Sequence, residues 1–177
     1  MNDLVRLALA YFLILPLIGL VVAIVMVLAL PRPRDRGRII EIALRQYLLF
    51  CIALAFLCNF VVHTFFGHLA APLIGWEPSP FEIEVGMASL GFGLVGSYAL
   101  RRDAAVRFAA VLGPAAFLWG AGVGHIIQIV QEGNFSPGNA GFVLYLDILL
   151  PIVGFVLVAL SRRHPVRTDA PADAEAA

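Results

Sequence analysis

Eleven of the chain's twelve arginines lie in three short stretches, Arg32–Arg45, Arg101–Arg107 and Arg162–Arg167, and lysine is absent. Long apolar runs separate these stretches. A bilayer core of roughly 30 Å is crossed by about 20 apolar residues in helical form. Five segments meet that length, roughly 7–30, 46–66, 81–100, 106–130 and 141–161. The gaps between them are short, which leaves no room for a separate soluble domain. A soluble domain is about half apolar, whereas this chain is 61% hydrophobic, with a mean hydropathy of +0.92. The runs are continuous rather than alternating, which argues against a β-barrel. The expectation is an all-α polytopic transmembrane helical bundle of about five helices, a single domain over 1–164, followed by a disordered Ala/Asp-rich tail over 165–177.

The charge distribution sets an expected orientation. The gaps 31–45 and 101–107 and the tail after Ser161 hold the eleven arginines, while the gaps 67–80 and 131–140 hold none. The positive-inside rule puts the first set in the cytoplasm, hence the N-terminus outside and the C-terminus inside. Glu77, Glu82, Glu84, Glu132 and Asp147 then give the outer side a negative field that favours cations. Arg6, on the predicted outer side, is the one discordant charge. Segment 7–30 is about twice the length of a signal-peptide core and lacks a small-residue cleavage site before Pro31, so it reads as the first helix. The proline-stiffened loop Pro31–Arg38 should lie against anionic headgroups. Trp76 reads as an interfacial anchor.

Local signals place the helix ends and the packing. Ser79 suits an N-cap, Pro80 the first helical position and Glu82 a capping box. Ser136 or Asn139 is expected to cap helix five. Helix three is rich in small residues (Gly86, Ser89, Gly93, Gly96), and helix four carries Gly113, Gly120, Gly122 and Gly124. Small residues let membrane helices approach closely, so these two helices are expected to form the tight centre. Cys51 and Cys58 lie seven residues apart on one helix, about 10 Å along its axis, too far for a mutual disulfide.

Alternating topology brings four ionisable residues, His63, Glu84, His125 and Asp147, to a similar depth near the outer face. Charged groups inside a bilayer are costly and usually face the bundle interior and find partners. Two histidines and two carboxylates form a donor set that suits a divalent transition metal, and equally a proton relay or a hydrogen-bonded network that fixes helix register. Asn59, Gln128, Asn134 and Asn139 are the expected polar supports, and Pro151 frees the carbonyl of Asp147. Glu82, two positions from Glu84, is expected to point elsewhere. His68 reads as solvated or interfacial and His164 as exposed. Gly91–Gly96 matches a dinucleotide fingerprint in letters only, since it lies inside an apolar helix with no preceding strand. No nucleophile elbow, phosphate loop or zinc-spaced cysteine pair is present, and no catalytic residue is assigned.

The strings Gly75-Trp76, Ser79-Pro80-Phe81, Glu84-Val85-Gly86, Gly124-His125 and Asn134-Phe-x-Pro-Gly-Asn-Ala-Gly141 resemble a family of small bacterial integral membrane proteins of unknown function. The resemblance covers roughly 60–150, and Glu82 stands where glutamine is expected. It implies a multi-pass protein of the bacterial cytoplasmic membrane and carries no activity with it. Three functional classes stay open: a structural or accessory membrane protein, a metal-binding or membrane-embedded redox enzyme using the polar cluster, and an oligomeric ion or proton transporter. The expected partners are the lipid bilayer and a second copy or a larger membrane complex, with no role for nucleic acid.

Overall fold

The computed structural model describes residues 3–166, with side chains described from Ile14 onward. The tail beyond 166, where disorder is expected, and the side chain of Arg6 lie outside the described residues. Five helices follow in order: α1 (Asp3–Leu28), α2 (Arg36–Ile74), α3 (Phe81–Ala99), α4 (Ala104–Glu132) and α5 (Phe142–Arg163). Among the described residues there is no strand. Three of these helices, α2, α4 and α5, are long and apolar enough to cross a membrane. In α1 the described apolar stretch is the shorter Ile14–Leu28. In α3 two glutamates and the small residues dilute the apolar content.

Helix α2 is the longest and touches every other helix. It starts at an N-cap, where the Asp35 carboxylate accepts from the Arg38 N–H at 2.8 Å. Tyr47–Leu54 is π-helical, a wider turn that sequence pattern does not announce. Gly67 and Pro72 predict a loop from residue 67, yet the helix continues to Ile74, with non-helical torsions only at Phe66. Gly67, Ala70 and Ala71 are buried there, so packing overrides the turn signal. The helix stops at Gly75, whose φ of 77° is left-handed and suits a residue without a Cβ. At the start of α4 the Asp103 carboxylate accepts from the N–H groups of Val106 and Ala105. These donors hold its carboxyl below the usual carboxylate range.

The closest packing joins α2 to α3. Gly86, Ser89, Gly93, Gly96 and Ala99 are buried and recur every three or four residues, one stripe of α3. A Cβ on Gly96 would stand 2.7 Å from Ile52 Cγ2 and 3.0 Å from the Ala53 amide nitrogen, and one on Gly93 would stand 2.8 Å from Leu57 Cγ. Backbone therefore meets backbone along this seam, and dispersion contacts hold it. The second extensive pairing is α4 with α5. The pairing of α3 with α4 is looser than expected: a Cβ on Gly91, Gly120 or Gly124 would meet nothing within 4 Å, and of the α4 glycines only Gly113 approaches α3, where a Cβ would stand 3.1 Å from Phe92 Cε1. What joins α3 to α4 is aromatic: Phe92 lies 5.7 Å from Phe117, and Phe56 of α2 packs edge-on to both.

Gly96→Ala should lower the thermal unfolding midpoint in detergent, by the equivalent of about 1–3 kcal/mol of overpacking. Gly91→Ala, on the open side of the same helix, should leave it unchanged. The two melting curves decide the point, and equal midpoints would mean that the seam does not hold the fold.

Candidate functional site

The polar residues gather at the two ends of the bundle. At the end marked by Trp76, α2 finishes with carbonyls that no further helical turn can satisfy. The loop between α4 and α5 supplies the missing donors. Asn134 Nδ2 donates to the Ile74 carbonyl at 2.9 Å, and the Gly138 N–H donates to the Leu73 carbonyl at 3.2 Å. The approach needs glycine on both sides. A Cβ on Gly138 would stand 2.7 Å from the Leu73 oxygen, and one on Gly75 would stand 2.5 Å from Asn134 Oδ1.

Asn139 completes this cap and fixes His125. Asn139 is fully buried, and its Nδ2 donates to the carbonyls of Asn134 (2.9 Å) and His125 (3.3 Å). With the amide so oriented, Oδ1 faces His125 Nδ1 at 2.7 Å, and the ring nitrogen must be the donor. The other ring nitrogen, Nε2, faces Asp147 Oδ2 at 3.5 Å, beyond ordinary hydrogen-bond length. That carboxylate oxygen is buried without a hydrogen-bond partner. The indole of Trp76 lies over the imidazole, with centroids 5.8 Å apart.

His63 belongs to a different pair. Its Nδ1 donates to Glu82 Oε2 at 2.5 Å. Glu82 is therefore not the reciprocal partner of a capping box, although Ser79 Oγ does accept from the Phe81 N–H at 3.3 Å. Glu84, the expected cluster member, is exposed. The physical reason is angular. Glu82 lies four residues before Gly86 and so extends the buried stripe of α3, while Glu84, two residues before Gly86, points away from it. Gly67 leaves room for the Glu82 side chain, whose Cβ would stand 2.9 Å from a Cβ there. Deeper in the same seam, Asn59 Nδ2 donates to Ser89 Oγ at 2.7 Å and Ser89 Oγ donates to the Val85 carbonyl.

Of the four candidate ligands, His63 thus pairs with Glu82, His125 faces Asp147, and Glu84 stands apart, exposed. Among the described residues no three His, Cys, Asp or Glu side chains converge in a way that would hold a metal. Asn59, Asn134 and Asn139 serve as polar supports. Gln128 instead lines an open depression of about 520 Å³ with Trp76, Glu77 and Glu132. Helix α5 begins at Gly141 without a side-chain cap, so neither Ser136 nor Asn139 has that role. Near Pro151 the carbonyls of α5 are met from other helices, Leu150 by the Tyr47 hydroxyl at 2.9 Å and Ile148 by Trp119 Nε1 at 3.4 Å. His68 is exposed, whereas His164 is half-buried, not exposed as expected.

This chain belongs to a family of unknown function, DUF6790, which matches residues 9–167. No curated protein and no solved structure matches the chain. Within this family member, the strings Gly75-Trp76 and Asn134–Gly141 supply Gly75, Asn134, Gly138 and Asn139 to the interlocked cap, and Trp76 to the ring contact with His125.

At the opposite, arginine-rich end stands an ion pair that charge counting missed. Arg107 is buried, and its guanidinium donates through Nη1 and Nη2 to both oxygens of Glu41, at 2.6 and 2.8 Å. It also donates to the Leu100 carbonyl at 3.2 Å, so one side chain joins α2, α4 and the turn after α3. Arg45 Nε adds a donor to Glu41 at 2.5 Å. The signal was present, because Arg107 lies four residues before Val111 on the buried stripe of α4 that continues through Pro114, Gly122 and His125.

Glu41→Ala should destabilise the protein by on the order of 3 kcal/mol, since it strands a buried guanidinium. The paired change Glu41→Leu with Arg107→Met should recover a large part of that loss. Unfolding curves for the three proteins check this, and a double variant no better than the single one would deny the coupling.

Proposed function

We propose that the protein is a structural or accessory component of the bacterial cytoplasmic membrane, a five-span helical bundle with its N-terminus outside and its arginine-rich end in the cytoplasm. The arginine distribution and the helices long and apolar enough to cross a bilayer support the setting. In that setting the polar residues of the Trp76 end lock helix register, and the open outer depression leaves the surface free for a protein partner.

The observation that carries this reading is the division of the histidines into separate pairs. His63 pairs with Glu82 and His125 with Asn139 and Asp147. Each ring nitrogen Nδ1 is committed to a side chain of the fold, as expected of groups that join helices. A catalytic zinc site takes three protein ligands at one point with a position left for substrate, and no such convergence stands among the described residues.

Elemental mass spectrometry and thermal unfolding of the protein purified in mild detergent test the reading together. The wild-type protein and the variants His63→Ala and Asn139→Ala should all carry less than stoichiometric transition metal. Each variant should also unfold at lower temperature, because a buried polar partner left unsatisfied costs about 1–3 kcal/mol. Stoichiometric metal that disappears with His63 would replace this account with the metal-enzyme reading.

A further inference from the structure

Among the described residues, the acids at the arginine-rich end are all engaged within the fold. Asp35 accepts from the Arg38 amide, Asp103 from the amides of Ala105 and Val106, and Glu41 from Arg107 and Arg45. Among the described residues, Arg101, Arg102, Arg162 and Arg163 are exposed and join no ion pair. The fold brings together the helix ends that carry Arg102 and Arg162. Arg162 Nη2 donates to the Ala104 carbonyl at 3.3 Å, which draws the end of α5 to the start of α4, two residues from Arg102.

Two of the four are also placed against the side wall of the bundle. The Arg102 guanidinium lies 4.1 Å from the centroid of Tyr98, and that of Arg162 lies 5.3 Å from Phe108. Both rings are exposed, Tyr98 at 58%. A guanidinium stacked on a ring keeps N–H groups at its edge for a phosphate, all of them in Arg102 and those other than the Nη2 bond to Ala104 in Arg162. Cations that join no ion pair among the described residues, set beside exposed aromatic rings, suit a ligand that is anionic at one end and apolar at the other.

We propose that this corner, through Arg102 and Arg162, binds the phosphate of an anionic phospholipid, whose acyl chains run along the exposed apolar surface beside Tyr98 and Phe108. The proposal rests on the membrane reading above. A free phosphate compound shares the headgroup chemistry but gains nothing from the apolar surface, so the two sources separate experimentally.

The test reconstitutes the full chain into vesicles of phosphatidylcholine alone and of phosphatidylcholine with phosphatidylglycerol. Native mass spectrometry of the extracted protein then counts retained lipid. Wild-type protein should retain phosphatidylglycerol in preference to phosphatidylcholine, and added glycerol phosphate should not displace it. Arg102→Gln with Arg162→Gln should lower that retention about tenfold or more, given the usual contribution of each arginine near an anionic surface. Arg36→Gln with Arg38→Gln removes the same charge elsewhere at this end and should lower it far less. Equal retention of the two lipids, displacement by glycerol phosphate, or equal loss in both double variants would each overturn the proposal. Partition into both kinds of vesicle with equal retention defeats the headgroup site alone, whereas failure to enter any vesicle defeats the membrane reading as well.

Discussion

Helix α2 is fastened at both ends, and the arrangement of the other helices follows from those two attachments. At the arginine-rich end Glu41 takes both guanidinium nitrogens of the buried Arg107, which ties α2 to α4. At the other end the last carbonyls of α2 are met by Asn134 and Gly138 from the loop between α4 and α5. A buried backbone carbonyl left without a partner costs about 1–3 kcal/mol. A helix end that borrows its donors from another hairpin therefore cannot move independently of it. Helix α3 needs no such polar attachment along most of its length, because its glycine stripe lets it lie directly on the α2 backbone.

The polar residues divide accordingly. Asn139 satisfies two carbonyls and one imidazole from a fully buried position. Ser89 passes a hydrogen bond from Asn59 to the α3 backbone. Such groups earn their burial by joining elements, and they specify one register because each has a single satisfactory partner. Asp147 departs from this pattern. Its Oδ2 has no hydrogen-bond partner and lies 3.5 Å from His125 Nε2, and the buried Thr64 hydroxyl likewise has none.

Helix number and approximate position were legible in the sequence, since blocks of apolar residues bounded by arginine leave few alternatives. The helix limits shifted where packing overrode local signals, as at Gly67 and Pro72, which lie within α2. The candidate site was legible by depth but not by rotation. Depth admits both Glu82 and Glu84, whereas continuing the Gly86, Ser89, Gly93 and Gly96 stripe back by four residues selects Glu82. The same reasoning finds Arg107, which lies on the buried face of α4 although an arginine in a basic cluster reads first as a topology signal. The π-helical turn at Tyr47–Leu54 has no comparable sequence mark, and the pairing of Asn134 with the end of α2 joins residues sixty positions apart, beyond the reach of any local pattern.

The central claim is that the cap couples the end of α2 to the loop between α4 and α5. Hydrogen–deuterium exchange of the Asn134→Ala variant in detergent or lipid tests it most directly. The account predicts that the amides of residues 69–76 and 136–140 lose protection together, because the same contacts hold both segments. Loss confined to residues 136–140, with residues 69–76 as protected as in the wild-type protein, would contradict it.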